Sequence, residues 1–473
     1  MSKRETKPMN NPAISVPDRS NILALPLITF LLVGAAFFVI EHDIHSQELY
    51  RDLVGSDSID DLQRTGEMFE QRGMRQAGGL ALAAAGGFFL LIFNRRATRG
   101  LSLLGLMILF FVAWNGLSLL WADDMALTFR RLVFFAFLCI GAAGIAVRWS
   151  MRDVLVFTAL CTSTFIAVGV GVEMYNGTFD FRDNIYRFAG SLHPNAQAVN
   201  CSLLIFSALA LRYETERGRL FLWVLVGVGF AFLYLTKSRT ALASTAAVLL
   251  LFWGLTQATD RKVLAGAIVA AGFAFLMLLS SVFLPMIQEG IRLGREEQDR
   301  ESIGTLTGRT ELWSQLNEFI AARPVLGYGY GGFWNEQRSW EVMEEQGWPI
   351  SHAHNAYIDI MLDAGPIAAL LYVLILIVGL RYGHLYFRAS RQGGYAFMVL
   401  LLLFCALNGF LESIAIQRSL VTFLSFVLIV KLGFAAPPRE YEAEVLQTEA
   451  NRRALTSPVP ANPAFAPRSG SPS

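Results

Sequence analysis

The sequence predicts an all-α polytopic membrane protein of about twelve transmembrane helices, and three observations carry that prediction. Hydrophobic residues make up 54% of the 473 and charged residues only 16%, against about 25% charged in a soluble globular chain. The apolar residues gather into runs of about 17 to 25 with few interior charges, the length that crosses about 30 Å of hydrocarbon. The runs do not show the short alternating segments of a barrel, and backbone in lipid must satisfy its own hydrogen bonds, so each run is expected to be a helix.

Taken in order, the chain opens with a polar, basic segment, 1–21, that lacks the pattern of a cleavable signal peptide. Nine spans are expected within 22–284, at 22–41, 77–93, 101–121, 132–147, 154–175, 194–211, 220–236, 241–256 and 263–284. A large loop, 285–355, separates them from three more in 356–435, at 356–380, 395–411 and 419–435. The tail, 436–473, is rich in Pro, Ala and Ser, a composition that predicts disorder. Cys139, Cys161, Cys201 and Cys405 all fall inside apolar runs, so buried thiols are expected rather than a disulfide framework.

Basic residues set the orientation. With the N-terminus inside, the inner segments hold 17 of the 39 lysines and arginines in about 62 residues, and the outer loops hold another 17 in about 146 residues. The inner density is more than twofold higher, which places both termini in the cytoplasm and the two long loops, 42–76 and 285–355, outside. The net charge of +1 offers no bulk attraction for nucleic acid. Within the large loop, Leu312, Trp313, Leu316, Phe319 and Ile320 share one helical face that Pro324 ends. Such a helix is expected to lie on the membrane surface with its apolar face down.

The chemistry is expected where basic residues stand on the side that should lack them. Arg182 and Arg187 lie in the short outer loop 176–193, Lys237 and Arg239 in the turn TKSRT, and Arg309 at the start of the amphipathic helix. A guanidinium is a permanent charge with a planar fork of donors suited to phosphate oxygens. Arg187, Arg239 and Arg309 together therefore suggest a site for a lipid-linked phosphate or diphosphate, with Lys237 as an accessory; bland alternatives are lipid headgroups and helix ends. Three of the six histidines, His193, His352 and His354, also stand at outer membrane edges. Histidine titrates near neutrality and is the usual general base. A helix cap is the competing role, and Asn355 is itself a good cap. His352 and His354 are spaced two apart with no cysteine or carboxylate beside them in the sequence, which predicts no metal site. GYGYGG at 327–332 matches neither dinucleotide nor P-loop spacing and predicts a tight turn with close backbone approach.

At HNAYIDIMLDAGPIAA (His354 to Ala369) the sequence resembles the signature of the O-antigen ligase and polymerase superfamily: a His-Asn pair, an apolar helix, an acidic residue and spaced glycines. RPVLGYGYGGF resembles the turn that precedes that pair, and RFAGSLHPN, KSRTA and GRTELW resemble the family's arginine motifs, over about residues 100–430. Asp363 stands where a Glu is common and Ala368 where a second Gly is common. The resemblance implies a membrane glycosyltransferase fold of the C type in a Gram-negative inner membrane. It implies inverting transfer, without a metal or other cofactor, of a glycan from an undecaprenyl-diphosphate-linked donor on the periplasmic side. The acceptor would be lipid A-core oligosaccharide in a ligase, another carrier-linked repeat in a polymerase, or a protein Ser or Thr in more distant relatives. His354 would be the base, Arg187, Arg239 and Arg309 would hold the diphosphate, and His193, His352, Asn355 and Lys237 would assist.

A transporter of lipid-linked glycans is the rival from a different class. Transporters place ionisable residues near mid-membrane. Here Glu173, Asp359, Asp363 and Glu412 fall close to expected span ends.

Overall fold

The computed structural model describes residues 24–42, 59–92, 102–183, 186–216, 218–256, 309–346, 350–414 and 418–434. The ninth expected span, 263–284, residues 43–58 of loop 42–76, the opening of the large loop and both terminal segments lie outside the described residues. Thirteen α-helices are described: α1 Ala24–Glu41, α2 Ile59–Ile92, α3 Leu103–Leu117, α4 Met125–Arg148, α5 Met151–Tyr175, α6 Pro194–Leu211, α7 Arg219–Leu235, α8 Arg239–Thr256, α9 Arg309–Ala322, α10 Glu336–Gln346, α11 Ala356–Ser390, α12 Gly393–Asn408 and α13 Leu420–Phe434. Seven of the described helical stretches are long and apolar enough to cross a membrane, and four shorter apolar helices accompany them. The protein is an all-helical polytopic membrane protein.

Two helices run further than the apolar runs foretold. α2 begins at Ile59, eighteen residues before the expected span, because IDDLQRTGEMFEQRGMRQ continues the helix without an apolar window. α11 continues past residue 380 to Ser390, with Gly383, Tyr386 and Phe387 buried among its charges. α6 and α12 are buried along nearly their whole length and form the centre of the bundle, with α5, α8, α11 and α13 packed against α12. α2 and α4 pack backbone to backbone: a Cβ placed on Gly144 would collide with the Gly87 carbonyl oxygen. Small residues allow such approach where lipid offers helices no hydrophobic drive to associate. All four cysteines are free; Cys161, Cys201 and Cys405 are buried and Cys139 is half-buried.

The described part of the large loop has its own small core. Leu312, Leu316, Phe333 and Val342 are fully buried together with Tyr328, Trp334 and Ile350. This corrects the expectation that α9 lies apolar face down on the membrane: its face packs on the loop's aromatic residues and on Ile358 and Leu362 of α11. The same amphipathic period serves a bilayer surface or a protein core, and here the aromatic turn that follows supplies the core.

The glycine-rich turn seats this cap on α11. Tyr328 N–H donates to the Leu362 carbonyl at 2.8 Å. Gly327 has φ +67° and its missing Cβ would stand 2.5 Å from that same oxygen, so the expected close approach is present. On the other side of the contact, Gly365 (φ +74°) breaks α11 just before Pro366, and a Cβ there would collide with the Val325 carbonyl oxygen. The break divides α11 into a short N-terminal piece, 356–364, beside the glycine-rich turn, and a long C-terminal one.

Candidate active site

The site begins where the loop runs into α11. Asn355 caps that helix: its Oδ1 accepts from Tyr357 N at 3.0 Å and Ile358 N at 3.1 Å. The capping task is thus taken by Asn355, and His354 is released from it. His354 sits at φ +48°, a left-handed conformation uncommon for a residue with a Cβ. Its neighbour Ala353 is fixed from both sides. Trp313 Nε1 donates to the Ala353 carbonyl at 2.9 Å, and Ala353 N–H donates to Asp359 Oδ1 at 3.0 Å. Asp359, fully buried, also accepts from Trp334 Nε1 at 2.9 Å and from the Ser413 hydroxyl. One carboxylate therefore ties together the aromatic turn, the residue before His354 and the loop between α12 and α13.

That last loop brings in Glu412, which no sequence motif singled out. Its Oε1 accepts from Arg309 Nη2 at 3.0 Å and Asn195 Nδ2 at 3.1 Å, with the Thr240 hydroxyl at 3.5 Å. Its Oε2 faces His354 Nδ1 at 3.5 Å. Side-chain exposure is 9% for Glu412, 11% for Arg309 and 19% for His354, so the group is recessed but not sealed. Burial opposes ionisation of Glu412, yet the His354 hydrogen bond and the Arg309 charge outweigh it and hold the carboxyl below its usual range. The His352 ring lies 4.1 Å from that of His354. Burial, and then the charge of His354, push His352 down to about 3, so it is a neutral imidazole at physiological pH.

The arginine motifs converge on the same neighbourhood through backbone contacts. Glu173, near the C-terminal end of α5, accepts from Ala189 N at 2.9 Å, Gly190 N at 2.7 Å and the Tyr186 hydroxyl. This pins the loop RFAGSLHPN. Arg187 Nε then donates to the Thr236 carbonyl at 3.2 Å, and Phe188 N–H to the Leu235 carbonyl at 2.8 Å. The turn that follows Thr236 holds Lys237 at φ +51° and leads to Arg239, the first residue of α8, next to the Thr240 that reaches Glu412. His193 caps α6, its Nδ1 accepting from Asn195 N at 3.3 Å. Asn195 then reaches Glu412.

One expectation is corrected here. The sequence places no carboxylate near the paired histidines, but the fold supplies one: the donor atoms of His352, His354 and Glu412 lie within 4.8 Å of one another. These three are the described residues that could hold a divalent ion. Glu412 Oε1 is already engaged by Arg309, Asn195 and Thr240, which leaves Oε2 for such a role.

Residues 224–373 match the family model described as O-antigen ligase. The match covers 150 of the 473 residues, about a third of the chain. The match contains Lys237, Arg239, Arg309, His352, His354 and Asn355; Arg187, His193 and Glu412 lie outside it. The exopolysaccharide production protein ExoQ of Rhizobium meliloti (strain 1021) is 30% identical over 216 residues, an overlap of 42% of this chain and 47% of ExoQ. The chain thus spans about half the length of that relative.

Proposed function

We propose that this protein is a membrane glycosyltransferase that moves a glycan from an undecaprenyl diphosphate carrier to a sugar hydroxyl, at the outer face of the inner membrane. The observation that carries this reading is the recessed cluster in which His354, with Asn355 taking the helix cap, and the Arg309 guanidinium meet on the two oxygens of one carboxylate. The acceptor hydroxyl oxygen attacks the anomeric carbon from the face opposite the diphosphate. The new C–O bond forms as the bond to the diphosphate oxygen breaks, and its electron pair leaves with the diphosphate. The hydroxyl proton passes to His354, through the ring nitrogen turned away from Glu412. The leaving group is already a stable anion, so the demand on the protein is fixed positive charge. Arg309, Arg187 and Arg239 meet it without reorganising in the transition state. Lys237 adds charge, while His193, His352 and Asn355 shape the site.

Two acceptors fit this chemistry. The family description favours ligation to lipid A-core oligosaccharide in lipopolysaccharide biosynthesis. The ExoQ likeness favours a second carrier-linked saccharide, hence growth of an exopolysaccharide chain. The test is a deletion strain rescued with wild type, His354→Ala or Arg309→Ala, with lipopolysaccharide run on a gel and exopolysaccharide weighed. Bare core with carrier-linked polymer accumulating identifies the ligase. Normal lipopolysaccharide with exopolysaccharide lost identifies chain growth. Rescue of both products by His354→Ala as complete as by wild type overturns the transferase reading.

A further inference from the structure

Glu412 lies past the end of the family match, yet it contacts both Arg309 and His354. Its two oxygens divide the work. Oε1 gathers Arg309, Asn195 and Thr240, and Oε2 faces His354. The carboxylate is not needed to hold its own loop. Leu411 and Glu412 N–H groups both bond the Asn408 carbonyl at 2.9 Å, and Ser413 is fastened to Asp359. Its side chain is therefore free to serve the site.

We infer that Glu412 is a positioning residue that couples the diphosphate site to the base, holding Arg309 in place before the donor arrives and orienting the His354 ring for proton transfer. The inference rests on the transferase reading above. Arg309 presents a fork of donors, and a diphosphate carries more charge than one carboxylate. An arriving diphosphate therefore competes with Glu412 for the same guanidinium. Asn195 and Thr240, from α6 and α8, keep hold of Oε1 during that exchange, so the carboxylate stays where it is. Its charge, no longer shared with Arg309, then falls on His354. A carboxylate facing Nδ1–H fixes the imidazole tautomer, leaves the Nε2 lone pair for the acceptor proton and stabilises the imidazolium that results. The base is thereby readied by the presence of the donor.

Full-length protein in lipid nanodiscs tests this with two separate readouts: affinity for undecaprenyl diphosphate, and kcat with a carrier-linked glycan. Glu412→Gln keeps the shape and removes the charge. The expected result is a kcat lower by about 10- to 100-fold, part of what a general base contributes. Donor affinity in the same variant stays equal or becomes tighter by about two- to tenfold, because Arg309 has lost a competing anion. A purely structural role predicts the opposite pattern, with affinity and rate falling together, and that result overturns the inference, as does an unchanged kcat. Should Glu412→Gln fail to fold, Glu412→Asp retains the charge at a shorter reach. It should keep donor affinity while losing rate, and a proportional loss of both rejects the proposal. A His354→Ala variant as fast as wild type would instead remove the transferase reading beneath it.

Discussion

The N-termini of α6 and α11 use the same two residue types in opposite ways. At α6, His193 is the cap, at φ −68° with its Nδ1 accepting a backbone N–H, and Asn195 is the residue that reaches Glu412. At α11, Asn355 is the cap and His354 reaches Glu412, from a backbone at φ +48°. Capping is a task that either side chain can do. What distinguishes the two helix starts is which residue is released from it, and in both the released side chain points at one carboxylate. Unusual backbone at such a position is where strain is commonly kept for function.

The sharpest way to break this contrast is His354→Ala. If His354 is the base, transfer should fall by about 10²- to 10⁴-fold, while the thermal melt stays close to wild type because the cap is untouched. A large loss of melting temperature with proportionate activity would make His354 structural, like His193. Asn355→Ala attacks the other half of the pair. It should lower stability by about 1 kcal/mol, as loss of a helix cap does, read as reduced resistance to unfolding, and it should lower activity only through the site it misplaces. Acid adds a third probe. His352 is held neutral down to about 3 in the folded state, whereas in the unfolded chain it takes up a proton as pH falls through about 6.5. The unfolded state binds more protons in that window, so stability should fall on acidification from pH 6.5 toward 4. His352→Asn should flatten that dependence in a melt series; an equally steep series would remove His352 as its source. The smallest effect belongs to His193→Asn, which preserves a capping side chain and should shift stability by only a few tenths of a kcal/mol. A large loss of transfer in that variant would place His193 among the chemical groups and erase the contrast.

Much of the bundle was readable from apolar run length, because lipid leaves a spanning backbone no other choice. What run length missed were helices continued through charge. The last ten residues of α11 read as a loop because Arg381, His384 and Arg388 interrupt them, although Gly383, Tyr386 and Phe387 between them are buried. His354 and Arg309 were legible as polar groups out of place at a membrane edge. Glu412 was not. It stands 58 residues beyond His354 in a short connection between two apolar helices, and its meaning lies wholly in partners from α6, α8, α9 and the start of α11. A lone acid in a short connection was the one available signal; Glu173, which pins the Arg187 loop, is likewise an acid near a span end, in the last turn of α5.

Asp359 holds Trp334, Ala353 and Ser413 with a single side chain. Such a hub makes the three contacts interdependent, so double-substitution cycles among Trp334, Asp359 and Ser413 should show effects far from additive. With Asp359 buried and shared in this way, exchanging one partner alone leaves the others answering for it, so the three behave as one unit rather than as separate sites.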